Sequence, residues 1–319
     1  MSHSNLDIVK TVDSFPCPGD QPETPNSYVH FRIASHPGVT FGYVLPSVAL
    51  ALASLPNWIF DRHCSPRTLT LVGGHDDATR TAIMMETTLG MRSSGRFKNL
   101  EKWRDELLPV YGPDAELLFS IERSACPLFG VVTYGVHMTA YRWNADKDRE
   151  DSMEIWVPRR SRDRAKYPGM LDTSVGGALA TGETPWSCLI RESEEEASLG
   201  EETVKRATAA GDITFFNLSD EGSGGEEGLA QPERMYIFDL DLTGSPLDTL
   251  AQNDGSVEAF ELLTVPKVKR ALSLKEFKPN SALVLIDFLI RHRQITPEDE
   301  PDYQDILLRL HRNLEFPVR

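Results

Sequence analysis

Apolar positions along the chain follow two periods. From Val131 to Trp143 they alternate and include β-branched and aromatic residues, and Met153 to Val157 repeats the run after the polar stretch Asn144 to Asp151, which predicts a hairpin. Asp212 to Leu218 and Met235 to Leu242 read as two more strands, divided by the acidic, glycine-rich stretch Asp220 to Gly228, expected to be a mobile loop. Val39 to Leu45 and Thr68 to Val72 are shorter strand-like runs, with a short helix over Ser47 to Leu55 between them.

Helical spacing dominates elsewhere. Asp76 or Asp77 is placed to cap a helix running towards Leu89. Ala282, Leu283, Ile286, Leu289 and Ile290 recur at helical spacing, with Asp287 and Arg291 able to pair on an outer flank, and a last helix is expected after Pro301, through Leu314. Prolines between Pro16 and Pro25 suppress helix, so an irregular segment is expected over 1–27, then an α+β domain over 28–130 and a second domain over 131–319.

Composition narrows the function classes. Forty-eight acidic residues against 33 basic ones give a formal charge of −15, which repels a nucleic-acid backbone. No apolar run reaches the length of a membrane-spanning helix, and the first twenty residues lack the pattern of a secretory or transit leader, so a cytoplasmic protein is expected. Cys17, Cys64, Cys126 and Cys188 lie far apart and write neither a zinc site nor a disulfide framework. Oligomeric state is not legible.

One segment carries chemistry. Thr184 followed by Pro185 is a strong helix start. On the helix that follows, Trp186, Leu189, Ile190, Ser193 and Ala197 fall on one stripe suited to packing against a sheet, with Ser193 expected to bond a backbone carbonyl. Glu192, Glu195 and Glu196 crowd another face, where their repulsion calls for a positive charge. An all-oxygen ligand set suits Mg²⁺, with Mn²⁺ as a substitute, and Arg191 can hold Glu195 at i+4.

The run Gly177, Glu183, Arg191-Glu192, Glu195-Glu196, Leu199 resembles the signature of the Nudix hydrolases, with Ser193 where an apolar residue is usual and Ser198 where that family has glycine. Ile155 to Ser161, Lys166 to Asp172, Leu128 to Gly130, Thr133 to His137 and Phe277 to Arg291 resemble the fungal and plant Nudix proteins related to thiamin pyrophosphokinase. The resemblance implies an α/β fold, a Nudix α/β/α sandwich with a mixed sheet behind a smaller α+β domain. It also implies hydrolysis of thiamin diphosphate, or of its oxo and oxy analogues, to the monophosphate. A nucleoside diphosphate derivative such as ADP-ribose, or a ligand-sensing role without catalysis, is the alternative.

In that reading Glu192, Glu195, Glu196 and the Gly177 carbonyl hold the metal. Glu195, oriented by Arg191, is the base, with Glu258 as a second candidate. Arg160 and Lys166 flank the segment and suit substrate phosphates. Three other groupings read as structure: Asp76 or Asp77 of Gly73-Gly74-His75-Asp76-Asp77 as a helix cap, His63-Cys64 as neighbours that cannot easily face one metal, and His137 as a core histidine.

Overall fold

Apolar alternation along residues 133–143 and 230–241 has two burial partners in the computed structural model, which describes residues 2–17, 24–146, 152–164, 166–220, 225–245, 250–253 and 255–319. The strands are β1 (Val29–Ile33), β2 (Gly42–Val44), β3 (Trp58–Asp61), β4 (Thr68–Leu71), β5 (Leu107–Tyr111), β6 (Leu117–Glu122), β7 (Thr133–Trp143), β8 (Met153–Arg160), β9 (Val175–Ala178), β10 (Thr208–Leu218), β11 (Ala230–Asp241) and β12 (Val257–Thr264). The helices are α1 (Asn5–Val12), α2 (Thr24–Ser27), α3 (Pro46–Leu52), α4 (Asp77–Ser93), α5 (Cys126–Phe129), α6 (Pro185–Ala197), α7 (Glu201–Val204), α8 (Val265–Ser273), α9 (Pro279–Arg291) and α10 (Tyr303–Leu310), with a 3₁₀ turn at Lys98–Lys102.

The second domain is built on a mixed sheet ordered β10-β11-β7-β8-β12, with β9 added along β7. Strand β11 runs parallel to β7, and the β7–β8 pair is antiparallel, as the expected hairpin requires. Successive side chains of a strand face opposite ways. Met235 and Ile237 therefore pack among α8, α9 and α10, while Tyr236, Phe238 and Leu240 pack with Val136, Met138, Leu189 and Cys188 on the α6 side. Helices on both faces of a mixed sheet make an α/β/α sandwich.

The amino-terminal domain has its own core around Phe31, Phe119, Phe129 and Trp58, under a sheet ordered β2-β1-β4-β3 and the β5-β6 hairpin. Its hairpin touches the second domain directly. The Thr181 N–H donates to the Leu107 carbonyl at 2.9 Å and the Thr181 hydroxyl to Ser120 at 2.9 Å, just ahead of α6.

Several expectations need correction. The opening segment is not irregular throughout: α1 forms, with Ser4 capping Asp7 and Leu6, Ile8, Val9 and Val12 packed beneath α9. Asp287 and Arg291 pair at 2.7 Å, but Asp287 is buried and Arg291 reaches across to Asp239, so this is an inner contact and not an outer flank. The last helix stops at Leu310, after which Arg312 turns inward to Asp13. The strand expected over Val39 to Leu45 shrinks to β2. Parts of Asn144 to Asp151 and of Asp220 to Gly228 lie outside the described residues.

Candidate active site

Helix α6 begins as its sequence dictates. The Thr184 hydroxyl accepts the Ser187 N–H at 3.1 Å and the Ser187 hydroxyl answers the Thr184 N–H, while Pro185 occupies the first turn. Its far end is closed by Ser198 in the left-handed region, at φ +54°, with the Leu199 N–H bonded to the Ser193 carbonyl at 3.1 Å. Serine thus adopts the conformation that glycine would adopt without strain, and the helix end keeps its place. Ser193 is fully buried on the packing stripe, but its hydroxyl has no partner among the described residues, so the expected bond to a carbonyl is not formed.

Arg191 organises the acidic face. Its guanidinium is forked onto Glu183 at 2.7 and 3.1 Å, and one nitrogen also reaches Glu192 at 2.8 Å and Glu195 at 3.2 Å. Such a network holds three carboxylates in fixed places from one planar donor. Glu195 remains half exposed at 50%. Glu192 is largely enclosed, and burial raises its pKa against the pull of Arg191.

Glu196 turns the other way, under β9, and accepts the Gly176 N–H at 3.1 Å. Burial first, and then the charges of Asp172 and Glu192, push its pKa up to about 8. The two glycines of β9 are needed for these approaches. A Cβ on Gly177 would fall 2.0 Å from the Glu192 carboxyl, and one on Gly176 would fall 2.7 Å from the His137 ring.

A cleft of about 290 Å³ opens beside Gly176 and Gly177. Lys166 and Lys278 line it from the second domain and Lys102, Arg104 and Arg123 from the first, with Glu233 in the wall. Burial raises the Glu233 pKa, opposed by Lys278, Lys166 and Arg123. His137, in the same wall, is buried and bonded through Nδ1 to the Thr173 hydroxyl at 2.6 Å. Burial and then Lys278 lower its pKa to about 3, which keeps it neutral.

The residues singled out from sequence are only partly brought together. Lys166 lines the cleft. Arg160 does not offer its guanidinium to the cleft: it is held on Asp172 at 2.6 Å and on the carbonyls of Tyr167 and Lys166. Its partner Asp172 is buried yet held well below the usual carboxylate range by Lys278 and Arg160. Glu258 stands on β12 at the sheet edge, accepting the Arg162 N–H at 3.2 Å, away from the cleft lining. Asp76 caps α4, and the Asp61 carboxylate accepts the N–H groups of His63 and Cys64, so both groupings are structural as expected.

Glu233, Lys278, Arg104 and Arg123 escaped the sequence reading. Glu233 lies in the polar start of β11, Gln231 to Arg234, ahead of the apolar run, so its sequence neighbourhood gave no signal. The others sit on separate turns that only tertiary folding joins.

Among the described residues no three His, Cys, Asp or Glu side chains already surround one point. The donor set nevertheless fits a hard divalent ion. Glu192 and Glu196 are carboxylates crowded together in a low-dielectric setting, where burial first and then neighbouring carboxylates raise the Glu196 pKa, and such oxygen donors suit a divalent ion.

Known proteins resemble parts of this chain. Residues 136–285 match the NUDIX domain, and residues 8–133 match a domain of unknown function, DUF4743. The Saccharomyces cerevisiae protein YJR142W is 29% identical over 99% of this chain and 92% of its own length. Nudix hydrolases 20 and 24 of Arabidopsis thaliana are 36% and 34% identical over 65% of this chain, which spans about half the length of each, 52% and 53%. Among solved structures, DR0079 of Deinococcus radiodurans aligns at a TM-score of 0.35 and 22% identity, over 53% of this chain and 88% of that one. The acidic helix and its glycine strand thus lie within the segment that matches the NUDIX domain, behind a segment that matches DUF4743.

Proposed function

We propose that the chain is a Mg²⁺-dependent diphosphatase that splits thiamin diphosphate, or its oxo and oxy analogues, into the monophosphate and phosphate. The observation that carries this reading is the crowding of Glu192 and Glu196 against Gly177 and Gly176, at the edge of a cleft lined by five cationic side chains. Clustered carboxylates that share few cations, Arg191 at 2.8 Å from Glu192 and Arg164 at 3.9 Å from Glu196, beside a basic groove suit a metal ion and a diphosphate together. The thiamin assignment is supported by the resemblance of the segments around Trp156, Tyr167 and Phe277. The cytoplasm is the proposed compartment, and a free small-molecule diphosphate the proposed partner.

Glu192, Glu195, Glu196 and the Gly177 carbonyl would hold Mg²⁺, or Mn²⁺ in its place. Bound there, the ion supplies charge neutralisation of the phosphates and acidifies water. Arg191 keeps Glu195 aligned to accept the proton of the attacking water as the new P–O bond forms. The bridging P–O bond breaks, and the leaving oxygen stays with thiamin monophosphate when the terminal phosphate is released. Lys166 and Lys278 offset the accumulating negative charge from the cleft wall.

Turnover is to be measured on one preparation with thiamin diphosphate, oxythiamin diphosphate and ADP-ribose in competition, read as phosphate and monophosphate from the first two and as AMP from ADP-ribose. The reading expects the thiamin compounds to win and Glu196→Gln to abolish turnover with the fold intact. Preference for ADP-ribose would reassign the substrate, and binding without turnover would make the domain a sensor.

A further inference from the structure

The amino-terminal domain places three basic side chains, Lys102, Arg104 and Arg123, along the cleft that opens beside Gly176 and Gly177. They come from two separate stretches of chain, and one buried carboxylate fixes both. Glu122, 1% exposed, accepts the N–H of Arg104 at 2.9 Å, of Ser124 at 3.0 Å and of Glu106 at 3.3 Å. A buried carboxylate bonded to three amides is a costly arrangement to dissolve, so the turn bearing Arg104 and the turn bearing Arg123 are set rigidly.

The hairpin that carries this staple is itself tied to the Nudix domain through Thr181, Leu107 and Ser120. Arg123 is 47% exposed and leans on Glu106 at 2.8 Å, and its charge reaches both Glu192 and Glu233. Across the groove the Lys166 pKa is lowered, by burial first; Glu233 in the wall opposes this, and Lys102, Arg123 and Arg104 add to it. Among the described residues, neither the Arg104 nor the Lys166 side chain is held in an ion pair. Five cations line this groove against the one carboxylate of Glu233, an excess of positive charge that suits an anion.

Taking the diphosphatase reading as its basis, we propose that the amino-terminal domain forms the second wall of the substrate site. Arg104 and Arg123, facing Lys166, bind the diphosphate itself. The acidic helix then takes the metal-facing side of the anion and the amino-terminal domain the opposite side. Guanidinium forks suit phosphate oxygens at this position, since two parallel N–H groups grip one phosphoryl group. The domain is thus an anion-binding module and a specificity element for the diphosphate group.

The test uses the full chain and inorganic pyrophosphate without added metal, titrated by calorimetry, so that binding is read apart from turnover. Arg104→Gln leaves the Arg123–Glu106 pair in place and is expected to weaken pyrophosphate about tenfold, with Arg104→Gln/Arg123→Gln weakening it further. In magnesium, the same variants are expected to raise KM for thiamin diphosphate by a similar factor while kcat changes less than about twofold. Arg62→Gln, which removes a charge from the exposed turn after β3, should leave the pyrophosphate affinity alone. Thermal unfolding of each variant verifies the fold.

Unchanged pyrophosphate affinity in the double variant would overturn the proposal, and so would equal weakening in Arg62→Gln. If the wild-type chain turned over no diphosphate but the double variant still lost pyrophosphate, the diphosphatase reading would fail and the anion site would stand. If turnover were robust and the variants bound and reacted like wild type, the anion site alone would fail.

Discussion

The carboxyl carbon of Glu192 stands where a side chain on Gly177 would begin, since a Cβ there would lie 2.0 Å away. Strand β9 and helix α6 are therefore fitted to each other at one residue pair. Gly177→Ala is expected to push the Glu192 carboxylate out of place and lower metal affinity by about 10- to 100-fold, as displaced ligands commonly do. Activity titrated against magnesium checks this: a curve superimposable on the wild type would show that Glu192 is not a ligand.

Arg191 grips Glu183, Glu192 and Glu195 at once, a task for a planar fork. Arg191→Lys keeps the charge and loses the geometry. The expected result is a fall in kcat of about tenfold or more with the melting temperature little changed. If steady-state kinetics showed the lysine variant to be fully active, orientation of Glu195 by Arg191 would be ruled out.

Glu196 gives the metal a pH signature. Its pKa is raised from 4.5 to about 8 in the folded chain. Below the lower value both folded and unfolded chains carry the proton and no penalty arises. Between the two values the folded carboxyl keeps a proton that the unfolded one has lost, so stability without metal falls as pH rises through this window. Magnesium binds the ionised form, and its stabilising effect should grow over the same range. Melting curves with and without Mg²⁺, at about pH 5.5 and about pH 8.5, measure it; a shift indifferent to pH would contradict the assignment of Glu196.

Two serines of α6 sit where the chain is not at ease. Ser193 buries a hydroxyl without a partner, and Ser198 holds φ +54°. Ser193→Ala and Ser198→Gly are each expected to stabilise the protein by about 1 kcal/mol, visible as a rise of roughly 2–4 °C in Tm. Neither touches the acidic face, so kcat should be preserved. A lowered Tm for Ser198→Gly would mean that the helix end draws on a serine contact.

The acidic face was readable in advance because it depends on spacing within one helix. Thr184, Pro185 and the offsets from Arg191 to Glu196 act through neighbours three and four residues away, and the cap and the i, i+4 pair form as expected. The cleft was not readable, because its cations come from the β5-β6 hairpin, the turn after β8 and the start of α9, which meet only on folding. Arg160 shows the converse. Proximity in sequence suggested a phosphate ligand, but Asp172, with the nearby carbonyls, had the stronger claim on the guanidinium. Helix α1 was not legible because eight residues are too few to hold a helix by propensity, and packing of Leu6, Ile8, Val9 and Val12 under α9 stabilises it.

That helix restricts how the two domains can move. Val9 and Val12 lie under α9, Asp13 is bound by Arg309 and Arg312, and the Phe15 ring stacks on Phe216 of β10 at 4.0 Å, all before the chain reaches β1 of the amino-terminal sheet. The chain returns through Thr133 into β7 of the same sheet. A body moored at two points on one platform can rock about the line between its moorings but cannot swing wide on a single tether. An excised sheet beginning at residue 131 would lay bare the greasy underside that Leu6, Ile8, Val9 and Val12 now shield.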